Sequence, residues 1–146
     1  MDPEDSSLLT LLHFNDAYNI EAEADGSNGV VNFEAYTRKM RAKYPHNILL
    51  HSGDAFSPSA LTRMESCGGS QMTYSLNKLK VDVACMGNHE FDLSDEETMK
   101  LFGECQFPWL MGNILIKDTM KPIGGGVPYI IKEVNGKKVG IFGVGG

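Results

Sequence analysis

Val81-Asp82-Val83-Ala84-Cys85-Met86-Gly87-Asn88-His89-Glu90-Phe91-Asp92 is the stretch on which the fold turns. Its first half is a short, mostly apolar run that reads as a buried strand. Its second half places an amide, an imidazole and two carboxylates where that strand would give way to a loop. In open α/β sheets the rim at the carboxyl ends of the strands is where ligands bind. The rest of the chain can therefore be read for further strands that end the same way.

Two precede it. Leu8-Leu9-Thr10-Leu11-Leu12-His13-Phe14 is a continuous apolar run, predicted as a central strand buried on both faces, and it opens into Asn15-Asp16-Ala17-Tyr18-Asn19. Asn47-Ile48-Leu49-Leu50-His51 is a second, running into Ser52-Gly53-Asp54. Between them, Phe33, Tyr36, Met40 and Tyr44 recur at helical spacing, predicting a helix over 31–44 that Pro45 stops. A second helix is predicted over 70–79, with Met72, Leu76 and Leu79 inward. Ser94-Asp95-Glu96-Glu97 has the form of a capping box, starting a third helix that reaches about Cys105.

Past the helices, residues 108–115 read as a fourth strand. Residues 127–134 and 137–144 are strand-like runs meeting at Asn135-Gly136, a strong hairpin signal. Strand–helix alternation on a parallel sheet thus hands over to an antiparallel ribbon.

Composition bounds the function. The chain has 146 residues and a formal charge of −6, with Lys and Arg scattered. An acidic chain without a basic stripe has no sequence-independent attraction for a nucleic-acid polymer. No run approaches the roughly 20 apolar residues of a membrane span, and the acidic start, 1–7, lacks the form of a signal peptide. Cys67, Cys85 and Cys105 form no Cys-x-x-Cys pair and read as free thiols, pointing to a reducing, cytoplasmic setting.

Asp16, Asp54 and Asn88 with His89 each follow an apolar strand. Alone, an Asp or Asn at a strand end commonly does no more than cap a turn. Three in succession, brought side by side by a parallel sheet, shift the balance toward function. Hard oxygen donors with an imidazole suit divalent ions such as Mn, Zn, Fe or Mg. An ordinary nucleotide-binding α/β domain would need a Gly-rich turn after the first strand, where this chain has Asn15-Asp16-Ala17-Tyr18.

His13-Phe14-Asn15-Asp16, Gly53-Asp54-Ala55-Phe56-Ser57-Pro58-Ser59 and Gly87-Asn88-His89-Glu90-Phe91-Asp92 resemble the opening motifs of the calcineurin-like metallophosphoesterases, in their 5′-nucleotidase branch. The resemblance implies an α/β fold: the N-terminal portion of a four-layer α/β/β/α sandwich with a mixed sheet, residues 1–146 forming part of that domain. It implies hydrolysis of a phosphate monoester, with a nucleotide among the candidate substrates, through hydroxide activated by two divalent metal ions of open identity (Zn, Mn, Fe, Mg or Ca). Asp16 would bind the first metal, Asp54 bridge both, and Asn88 bind the second. His89, held by Asp92, would be the catalytic pair.

The family's opening motif is Asp-x-His, and Tyr18 stands at that His position, so Tyr18 or the adjacent Asn19 is the candidate replacement. The later Gly-His and Gly-His-x-His motifs are absent, the remaining histidines being His13, His46 and His51. The expectation is therefore a fragment that is inactive alone. The alternative is a non-catalytic metal- or protein-binding module built on the same fold.

Overall fold

The computed structural model describes residues 8–145. Strands β1 (Thr10–Phe14), β2 (Asn47–His51), β3 (Val83–Cys85) and β4 (Trp109–Leu110) lie side by side in that order, all parallel. Helices α1 (Gly29–Lys43), α2 (Ser70–Leu79) and α3 (Asp95–Glu104) make the crossovers. The ribbon of β5 (Tyr129–Val134) and β6 (Lys137–Phe142) is antiparallel. The acidic 1–7 segment read above for a leader lies outside the described residues. Among the described residues, no helix is long and apolar enough to cross a membrane.

Strand side chains alternate between faces, and each face has its own cover. Leu12, Leu49, Ala84 and Trp109 face the helices and pack with Met72, Leu76, Leu101 and Phe102. Ile48, Val83 and Leu110 face the other way and are buried by Ile130, Val134, Val139 and Ile141 of the ribbon. At the ribbon turn Asn135 and Gly136 both have positive φ, 52° and 68°, the tight turn that matches the twist of paired strands.

Two expectations change. The first strand is not buried on both faces. It is the edge of the described sheet, and Leu11 is 56% exposed, because the ribbon covers Ile48, Val83 and Leu110 instead. The fourth strand is shorter than 108–115. After Leu110 the chain leaves β3: the Met111 N–H donates to the Val127 carbonyl at 2.9 Å and the Gly112 N–H to Gly143 at 2.8 Å. Those bonds stitch the parallel sheet to the ribbon.

Asp82, at the entry to β3, ties the layers together. Its carboxylate accepts from the Leu49 N–H at 2.8 Å, from Arg41 of α1 at 2.8 Å and from Lys132 of β5 at 2.7 Å. Burial pushes its carboxyl upward, but those donors outweigh it and hold it below its ordinary value.

Candidate functional site

The polar loops after β1, β2 and β3 meet at one end of the sheet. Their backbones touch: the Asp16 N–H donates to the Gly53 carbonyl at 3.1 Å, and the Ser52 N–H to Phe14 at 3.0 Å. Gly53 and Gly87 face each other so closely that a Cβ on Gly53 would run into the Gly87 backbone, and one on Gly87 into the Asp54 carboxylate. Glycine at both positions is what allows the second and third loops to approach.

Asp16 and Asp54 both have positive φ, 53° and 61°. Left-handed backbone is uncommon outside glycine, though Asp tolerates it better than most. Such conformations concentrate where a side chain must be aimed. Asp54 Oδ1 accepts the His89 N–H at 2.7 Å, binding the second loop to the third. Asp16 accepts the Tyr18 hydroxyl at 2.6 Å and contacts the Asn15 side-chain amide.

Tyr18 therefore acts on Asp16. That hydrogen bond, burial, and the nearby carboxylates of Asp54, Asp16 and Glu90 push its hydroxyl up to about 12. In this arrangement it is a neutral donor to Asp16. Its ring lies edge-on to His89, with centroids 5.7 Å apart. Asn19 lines, with Asn15 and Asp16, a cavity of about 460 Å³ between the first loop and helices α1 and α2.

Asn88 is exposed at the rim, with His89 beside it at the start of a 3₁₀ turn, His89–Asp92. With three residues per turn, positions three apart eclipse, which brings Asp92 Oδ2 to 2.8 Å from His89 Nδ1. The hydrogen bond to Asp92 is the main cause of a His89 pKa above its ordinary value. The same pairing, with Ser57, holds Asp92 below its own.

Two contributors had no role assigned from sequence. Ser57 donates to Asp92 Oδ2 at 2.9 Å, extending the pair into a relay. Glu90 is fully buried, and its carboxylate accepts the N–H groups of Asp54, Ala55 and Gly87 at 2.9, 2.7 and 2.8 Å. The sequence signal for Glu90 was a carboxylate inside a loop otherwise aimed at solvent. Its partners, more than thirty positions away in two cases, had no local trace.

The other histidines fall outside the cluster. His51 is buried between Phe14 and Trp109, at ring-centroid distances of 4.7 and 6.4 Å. Burial pushes it down to about 4. His13 Nε2 pairs with Ser52 Oγ at 2.7 Å.

The three loops carry two carboxylates and an amide, hard oxygens suited to Mg, Mn or Zn. They fit part of a divalent-ion site: among the described residues, no three His, Cys, Asp or Glu side chains stand close enough together to hold an ion.

A family model for the calcineurin-like phosphoesterases matches residues 9–142. Snake venom 5′-nucleotidase from Crotalus adamanteus is 31% identical over 92% of this chain and 25% of its own length. NAD 5′-nucleotidase from Haemophilus influenzae is 27% identical over 93% of this chain and 24% of its own length. The chain thus spans about a quarter of these relatives. Among solved structures, Haemophilus influenzae NAD nucleotidase superimposes with a TM-score of 0.81 at 29% identity, over 94% of this chain and 29% of that one. A 5′-nucleotidase precursor from Thermus thermophilus gives 0.77 at 25% identity, over 94% and 28%. With nearly all of its length matched in sequence and its parallel sheet matched in space, the chain belongs to the calcineurin-like phosphoesterase family.

Proposed function

We propose that this chain supplies the carboxylate and amide side of a metal-dependent phosphomonoesterase site whose substrate is a nucleotide. The observation that carries the reading is the bond from the His89 N–H to Asp54 Oδ1, which sets the candidate bridging carboxylate against the candidate catalytic histidine. Bound divalent cations would supply hydroxide at neutral pH and offset phosphoryl charge. Asp16, Asp54 and Asn88 are the residues that would hold them.

The chain's own groups then have distinct tasks. Tyr18 orients the Asp16 carboxylate through its hydroxyl. Asp54 keeps one oxygen on the His89 N–H and has a second to offer a cation. Asp92 accepts from His89 Nδ1–H, which leaves Nε2 as the nitrogen turned to substrate. A raised pKa favours the imidazolium, so Nε2–H can donate to the departing oxygen. Ser57 holds Asp92 in place.

The experiment is hydrolysis of p-nitrophenyl phosphate and of a nucleoside 5′-monophosphate with Mn²⁺ or Zn²⁺. A longer protein containing these residues is expected to turn over both, and the 146-residue chain alone to show little turnover. Asp54→Asn should remove the activity. Full activity of that variant, or no hydrolysis by the longer protein under any metal, would overturn the reading.

A second reading is that the chain is a non-catalytic metal- or protein-binding module. It draws on the shortage of ligands, with no three-residue His, Cys, Asp or Glu group among the described residues. Metal analysis separates the two readings, since two tightly held ions per chain would exclude the module.

A further inference from the structure

Glu90 occupies an unusual position for a residue of a solvent-facing motif. Its neighbours Phe91 and Asp92 are exposed, yet Glu90 itself is 0% exposed. A carboxylate is costly to bury unless its oxygens are satisfied, and here three backbone N–H groups satisfy them. All three belong to the loops that carry the candidate ligands. Two are the N–H of Asp54 itself and that of Ala55. The third is the N–H of Gly87, one position before Asn88. On the open side of the same two loops, the His89 N–H closes the contact onto Asp54 Oδ1 at 2.7 Å. The close approach of Gly53 to Gly87 lies in the same seam.

We propose that Glu90 is a positioning residue: its carboxylate clamps the loop bearing Asp54 to the loop bearing Asn88 and so fixes the separation at which these two side chains meet a divalent cation or a phosphoryl oxygen. The proposal rests on the functional reading above for its purpose, and on the hydrogen bonds alone for its geometry. An ionised carboxylate offers acceptor sites to all three donors. An amide cannot, because its NH₂ would be turned against at least one backbone N–H. Glu90→Gln is thus nearly isosteric and should release part of the clamp while filling the same space.

A purely structural role is separated by a neighbouring control. The Thr98 hydroxyl donates to the Glu90 backbone carbonyl at 2.9 Å from helix α3. Thr98→Val removes that buried bond and leaves the carboxylate and its three donors untouched. Amide hydrogen exchange followed by NMR on the 146-residue chain reads the seam directly through the His89 N–H, with the Leu49 N–H as a core reference.

In Glu90→Gln, protection of the His89 amide should fall at least about tenfold relative to Leu49, because the loops open locally. In Thr98→Val the two amides should change in step. Mn²⁺ titration of the same proteins should show about a tenfold or greater loss of affinity for Glu90→Gln, and wild-type affinity for Thr98→Val. Parallel behaviour of the two variants in the exchange experiment would overturn the clamp. If the 146-residue chain takes up no Mn²⁺ by itself, as part of a larger site would, the functional reading is decided by hydrolysis in the longer protein, while the exchange comparison decides the role of Glu90.

Discussion

His51 shows how burial alone sets the behaviour of a residue. It sits one strand position from the polar loop, yet packing between Phe14 and Trp109 makes it a core side chain, and burial takes it from 6.5 to about 4. A histidine whose folded pKa is depressed binds fewer protons in the folded state than in the unfolded chain. Its contribution to stability is therefore full above pH 6.5 and is lost as the pH falls from there toward 4. The loss should reach about 3 kcal/mol, and urea unfolding at pH 7 and pH 4.5 would measure it. His51→Phe should flatten that slope; an unchanged slope would refute the assignment. Tyr18 calls for a different measurement. If its hydroxyl orients Asp16, Tyr18→Phe should weaken Mn²⁺ binding or phosphate-ester hydrolysis by about tenfold and leave the fold intact by circular dichroism.

Among the elements, those whose instructions are local were the ones legible from sequence. Helix α3 starts at Ser94, whose hydroxyl accepts the Glu97 N–H at 3.3 Å while Glu97 returns a bond to the Ser94 N–H at 3.0 Å, the capping box its spacing predicts. Ser94→Ala should lower stability by about 1 kcal/mol, read as a lower urea midpoint with an unchanged slope. The ribbon turn at Asn135-Gly136 and the three strand-end loops were legible for the same reason. What escaped was long-range. The extent of β4 depends on bonds to Val127 and Gly143, and Glu90 and Ser57 acquire roles only when loops distant in sequence meet. A motif showed that Glu90 belonged to the loop; only the folded contacts show which way it turns.

Across the whole molecule, the parallel sheet was readable from its strand–helix alternation, but its edges were not. An apolar run cannot tell whether its second face will be covered, and Leu11 shows that on β1 it is not. The joining of sheet to ribbon rests heavily on Asp82, which gathers Leu49, Arg41 and Lys132 from three elements. Asp82→Ala leaves a buried N–H and two cations without their acceptor. It should cost about 3 kcal/mol and should raise hydrogen exchange in β5 and β6 before that of β2. Uniform exchange across both sheets would mean that Asp82 does not hold the ribbon.

The seam between Gly53 and Gly87 has a consequence for inheritance. A methyl group on Gly53 would meet the Gly87 backbone and one on Gly87 the carboxylate and backbone nitrogen of Asp54, so either pushes the same two loops apart. Once one substitution has forced that separation, the second has little left to disturb, so the double Gly53→Ala, Gly87→Ala protein should be hardly worse than its worse parent. The two codons would show antagonistic epistasis, accepting a joint change more readily than the sum of their separate effects foretells.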